Sequence, residues 1–177
     1  VGQAYPKRSL SQAVRPEMEA LARETGESVN LAVPLGREAL YLDQVEGTKL
    51  VRLFTAPGSR APLHATGVGK VFLAYLGVPE GLSLTPYTPH TLTRLPDLLR
   101  ELEAVRGRGY ALDNEEKELG VRCVAAPVFG ASGGVVAALS LSAPASRLSL
   151  EEAHRLAPRV VEAARRASLR LGYTGEV

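Results

Sequence analysis

Leu10, Val14, Met18 and Leu21 recur at intervals of three and four, the spacing of one face of a helix, and Gly26 stands where such a helix would be capped. Pro16 lies inside that stretch and predicts a kink or a break, because it has no N–H to give the helical ladder. The period then changes. Ser28 to Val33 and Ala39 to Val45 read as strands joined at Leu35-Gly36-Arg37, and Leu50 to Phe54 reads as a third. Residues 56–62 read as a loop. Thr66 is a candidate N-cap for a helix reaching about Leu76. Gly77 to Thr93 is rich in Pro, Gly and Thr and reads as irregular. Leu98, Leu102 and Val105 mark a helix from about Asp97, stopped by Gly107 and Gly109. A strand through Tyr110 and a hairpin follow. The last helix starts from a capping box, Ser149-Leu-Glu-Glu152, and carries Ala153, Leu156, Val160, Ala163, Ala167 and Leu171 on one face, with a bend expected at Pro158. Hairpins in place of β-α-β alternation predict an α+β domain, an antiparallel sheet flanked by helices.

The hairpin is the densest stretch of chemistry. Ser140 and Ser142 lie two apart, hence on one face of a strand, with Leu139 and Leu141 on the other. Val121, Cys123 and Ala125 alternate in the same way on the partner. A two-residue turn at Ser132-Gly133 makes opposed residue numbers sum to 265, which sets Ser142 opposite Cys123 and Ser140 opposite Ala125. Such a face suits a pocket floor, although an alternation of this kind can also face solvent. Arg122 must point the other way, where a salt bridge is the expected role.

Composition narrows the possibilities. The chain has 177 residues, 45% hydrophobic and 23% charged, as expected for one globular domain. No apolar run approaches the roughly 20 residues of a membrane span. A single cysteine cannot make an internal disulfide, and a cytoplasmic location is expected. A net charge of +2 is too balanced for a nucleic-acid surface.

Three blocks together resemble the effector-binding domain of IclR-type bacterial transcriptional regulators. They are Leu21-Ala-Arg-Glu-Thr-Gly-Glu-Ser-Val-Asn-Leu31, Pro62-Leu-His-Ala-Thr-Gly-Val-Gly-Lys-Val-Phe-Leu-Ala74, and the run from Gly109-Tyr110 through Asp113, Glu115-Glu116 and Gly120-Val-Arg-Cys-Val-Ala-Ala-Pro127 to Ser140-Leu-Ser-Ala-Pro144. The resemblance implies a profilin-like or GAF-like sheet, with residues 1–26 as a linker and first helix and 27–177 as the effector-binding domain. It implies a small organic acid as effector, no cofactor, and a homodimer or homotetramer. DNA would be held only through a winged helix-turn-helix domain absent from this chain.

The resemblance also nominates a site. Gly67 and Val68, at a helix N-terminus, would offer backbone N–H groups to a carboxylate. The bare alternative is that the glycines of Thr66-Gly-Val-Gly-Lys70 only permit close packing. Asp113 falls at the pocket mouth, while Glu115, Glu116 and Glu118 read as a solvated turn. Val121, Cys123, Ser140 and Ser142 form the floor. Leu53 and Ala61 match apolar lining positions. Cys123 reads as a buried small hydrophobe rather than a nucleophile, and nothing has the spacing of a metal site. A small cysteine-dependent hydrolase and a stand-alone GAF-like sensor are the rival readings.

Overall fold

Strands with one aliphatic and one small or polar side can serve two layers at once, and this chain uses them so. A computed structural model describes residues 6–49 and 56–175. Among these, the order is α1 (Lys7–Thr25), β1 (Ser28–Leu35), β2 (Glu38–Val45), β3 (Arg60–Pro62), α2 (Gly67–Leu76), α3 (Leu95–Arg108), β4 (Ala111–Asn114), β5 (Val121–Phe129), β6 (Val135–Pro144) and α4 (Leu150–Arg170). The strands form one sheet, ordered β3-β2-β1-β6-β5-β4, and every pairing is antiparallel. The α+β expectation holds.

One face packs on α1 and α4 through Val29, Leu31, Val124, Ala126, Val128, Leu139 and Leu141 against Leu10, Val14, Met18, Val160 and Ala164. The other packs on α2 and α3 through Ala32, Tyr41, Ala111, Ala125 and Ala138 against Val68, Val71, Phe72, Leu98 and Leu102. The small residues of this second face let the helices come close.

Both long helices run through their prolines, α1 through Pro16 and α4 through Pro158, so the expected break at Pro16 does not occur. The reason is packing. Val14 and Met18 flank Pro16 and are both fully buried, and tertiary burial outweighs one missing backbone bond. Gly26 caps α1 in the left-handed region, with φ 73°, and the Ser149–Glu152 capping box is reciprocal, at 3.1 Å each way. Residues 56–62 are not all loop, because Arg60–Pro62 pairs with Glu38–Leu40 as β3. The strand expected over Leu50 to Phe54, and Leu53 with it, lies outside the described residues. No described helix is long and apolar enough to cross a membrane.

The hairpin reaches the expected register by another route. Its tip is a three-residue turn, with Gly130 N–H donating to the Gly134 carbonyl at 2.8 Å. Phe129 pairs with Val135 but Val128 with Ala137, so Val136 is an extra residue, a β-bulge. The bulge restores the frame, and Cys123 lies opposite Ser142, Ala125 opposite Ser140.

Candidate functional site

Two rows of residues cross the sheet on the α2 side. One runs Asp113–Cys123–Ser142–Ser28, the other Ala111–Ala125–Ser140–Asn30–Gln44. Ser140, Ser142, Asp113 and Cys123 are exposed by 2, 1, 3 and 8%, so the solvent-facing alternative for the serines fails. Val121 is half-buried at the start of β5, on the same side two residues from Cys123. α2 begins above the second row. Thr66 caps it, accepting from Gly69 N–H at 3.1 Å, while the N–H groups of Gly67 and Val68 belong to the first turn, which has no intrahelical acceptors. Val68 and Ala61 are buried in one apolar cluster with Tyr41.

The glycines also serve packing. A Cβ on Gly69 would stand 2.4 Å from the Leu63 carbonyl oxygen. One on Gly67 would stand 3.1 Å from the Ala125 Cβ, so Gly67→Val would press on β5 as well as cover the helix end.

Asn30 is a floor residue that the hairpin pattern does not reveal. It is fully buried, and its Nδ2 donates to Ser142 Oγ at 3.3 Å and Ser140 Oγ at 3.5 Å. Its Oδ1 accepts from Gln44 Nε2 at 2.9 Å, and its Nδ2 end faces the serines. The serine oxygens accept from this amide, which leaves the Ser140 hydrogen available, while the Ser142 hydroxyl shares a contact with Cys123 in which either can donate. Cys123 Sγ lies 3.1 Å from Ser142 Oγ. A signal existed. Ser28, Asn30 and Ala32 alternate with Val29, Leu31 and Val33, but only the pairing of β1 with β6 brings that side to the serines.

The acidic run is only partly a solvated turn. Glu116 is 7% exposed and takes the ammonium of fully buried Lys70, with Nζ–O distances of 2.9 and 3.1 Å. Lys70 also donates to Glu101 at 2.9 Å. Glu115 pairs with Arg122, at 3.3 Å. The missed sign is a lysine inside the otherwise apolar helix Gly67–Leu76, which needs acidic partners if it is buried. Asp113 accepts from the Glu116 N–H at 2.8 Å. Burial pushes its carboxyl up to about 7, with the Glu116 charge adding to the effect and the Glu116 N–H and Lys70 opposing it. Asp113 can thus carry or lose a proton near neutrality.

Arg122 points away from the floor, as expected, with its guanidinium donating to Asn114 Oδ1 at 2.9 Å and to the carbonyls of Ala145 and Leu148. Burial above all, then the neighbouring Asp113 charge, pushes the Cys123 thiol up. A thiol held protonated is a poor nucleophile. His64 is bonded to the Thr85 carbonyl and His154 to Tyr110.

The family described as "Bacterial transcriptional regulator IclR C-terminal" matches residues 3–169. The chain is 39% identical over 174 residues to the HTH-type transcriptional regulator BhcR of Paracoccus denitrificans, covering 94% of this chain and 62% of that protein. It is 39% identical over 179 residues to the HTH-type transcriptional repressor AllR of Escherichia coli K12, covering 97% and 66%. Among solved structures, the Thermotoga maritima IclR superposes with a TM-score of 0.85 at 35% identity, covering 93% of this chain and 69% of that one. The C-terminal domain of the E. coli regulator KdgR superposes at 0.81 with 34% identity, covering 93% and 99%. The chain thus spans about three fifths of the Paracoccus relative's length. Matched along nearly its whole length in sequence and in fold, the chain belongs to the IclR C-terminal family, the effector-binding domain of a family of transcriptional regulators rather than enzymes.

Proposed function

We propose that this domain senses a small organic acid. The acid lies on the floor made by Cys123, Ser140 and Ser142, under the first turn of α2 at Gly67 and Val68. Val121 and Ala61 complete the lining, and Asp113 stands at its edge. The observation that carries this reading is the orientation of Asn30. Because its amide donates into both serine oxygens, the Ser140 hydrogen is free for a ligand, and that of Ser142 is free as well when the Cys123 thiol donates to it, so the floor presents donors. The α2 N-terminus adds backbone donors and a favourable dipole. Donors on two sides suit a carboxylate, and Asp113 near its midpoint can share a proton with it.

Binding would shift the equilibrium between two states of an oligomer, and a helix-turn-helix domain of the complete regulator would carry that shift to DNA in the cytoplasm. This chain alone, with a net charge of +2, is expected to give no sequence-specific shift of operator DNA. Sedimentation at micromolar concentration is expected to show a dimer or tetramer.

A thermal-shift screen of small carboxylic acids tests the reading. A ligand at 100 times its Kd stabilises the fold by about 2.7 kcal/mol. Ser142→Ala removes a bond to a charged group, a loss of about 1.5–3 kcal/mol or roughly ten- to a hundredfold in affinity. Leu141→Met, on the opposite side of the same strand, should leave affinity unchanged. If no acid stabilises the domain, or if Leu141→Met abolishes binding that Ser142→Ala spares, the site is misplaced.

A further inference from the structure

The floor is bonded through the sheet to α1. From Cys123 the contacts run to Ser142 Oγ at 3.1 Å, from there to Asn30 Nδ2 at 3.3 Å, and from Asn30 Oδ1 to Gln44 Nε2 at 2.9 Å. The backbone N–H of Gln44 donates to Asp43 Oδ1 at 2.9 Å. Asp43 in turn accepts from Arg15 Nη1 and from Ser11 Oγ, each at 2.7 Å, and both residues belong to α1.

A regular strand would not make this connection. Side chains at 41 and 43 would share one face, and those at 42 and 44 the other. In β2 the register slips: Leu31 pairs with Asp43, but Ala32 pairs with Tyr41, so Leu42 is an extra residue. Tyr41 stays in the cluster on the α2 side, while Leu42 packs on the α1 side. Asp43 then bonds to α1, and Gln44 returns to the row of Asn30 and Ser140. The bulge exchanges the faces of these two polar side chains relative to Tyr41, so that Asp43 meets α1 and Gln44 meets Asn30. The sheet is one backbone thick there, and the Gln44 N–H is the step across it.

We propose that Asn30, Gln44 and Asp43 form a relay through which the hydrogen-bonding state of the pocket floor is felt by α1. The proposal rests on the floor assignment above, and it names the regulation of that same site. An acceptor placed on Ser142 takes its hydrogen and makes its oxygen a better acceptor for Asn30. That tightens the hold of Asn30 on Gln44, because bonds in a chain polarise one another. Gln44 carries the pull to Asp43, whose carboxylate anchors the α1 turn from Ser11 to Arg15. Gln44 is the positioning residue that joins the two halves.

The test needs no ligand, so it is independent of whether any acid binds. Amide exchange over residues 7–20 is followed in the unmodified domain, in Ser142→Ala, in Gln44→Met and in the double variant. Gln44→Met removes the side-chain donor at nearly constant volume. Ser142→Ala alone should change α1 exchange by about threefold or more, the scale of coupling between residues of one network. In the Gln44→Met background the same substitution should leave α1 exchange within experimental error, while exchange in α3 is alike in all four proteins. If Ser142→Ala alters α1 equally in both backgrounds, or in neither, the relay is refuted. A failed acid screen with an intact exchange pattern would instead remove the ligand reading and leave the relay standing.

Discussion

The two faces of the sheet are built from the same strands and differ in nearly every other respect. On the α1/α4 side, alternate residues of β5 and β6 are Val124, Ala126, Val128, Leu139 and Leu141, all fully buried and aliphatic. One residue over on each strand stand Cys123, Ala125, Ser140 and Ser142, joined by Asn30, Asp113 and Lys70 from other elements, and these too are buried. Burial alone therefore does not mark the site. The distinction is that at the centre of one face the strands bury aliphatic groups that need no partner, and at the centre of the other they bury groups that must be partnered. The first face holds the fold, and the second has bonds to exchange.

Moving the chemistry to the wrong face gives the largest expected effect. Leu141→Ser puts a hydroxyl among aliphatic side chains and opens a cavity, and should cost about 4–6 kcal/mol in urea unfolding. A loss below about 1 kcal/mol would erase the distinction between the faces. On the α2 side, Lys70→Ala leaves Glu116 buried and facing Glu101 without their cation, with an expected cost of about 3–5 kcal/mol. Glu116→Gln added to Lys70→Ala should recover part of that loss, whereas a purely steric role for Lys70 predicts no recovery.

Asp113 sharpens the comparison through pH. Its carboxyl in the folded domain sits at about 7, above the ordinary 3.8. The folded state therefore holds the proton more tightly than the unfolded chain. Its contribution to stability is fully present below about pH 4 and is lost as pH rises to 7, by at most about 1.4 kcal/mol per pH unit. Asp113→Asn should flatten stability against pH over that range and raise it at pH 8. A steeper profile in the variant would contradict the assignment. The smallest effect is expected for Ser142→Ala without ligand, about 1 kcal/mol, because its hydroxyl already has Asn30 and Cys123 as partners. A loss above 3 kcal/mol would mean that the floor is structural first.

Local features of the fold were legible in the sequence, since caps and periods act over a few residues. Gly26, Thr66, Gly109 and the Ser149–Glu152 box all end or begin helices as read. At Pro16 the helix continues without a break because a missing bond is a local loss, while Val14 and Met18 are buried by residues distant in sequence. In the site, Asp113, Cys123, Ser140 and Ser142 lie in one hairpin and its neighbour, within reach of a register argument. Asn30 lies 110 residues from Ser140, and the Lys70–Glu116 pair spans 46. Nothing within one window of sequence announces such pairings.

The extra residue at Val136 has a genetic consequence. With the three-residue tip alone, Cys123 would face Leu141, and the serines would turn toward α1 and α4. Loss of that single codon would leave the site in frame, because Phe129–Val135 and Val128–Ala137 would become consecutive pairs and Cys123 would stay opposite Ser142. The residue at 136 is slack in the ladder: a gap there should be tolerated, whereas the same residues paired without a bulge would turn the site inside out.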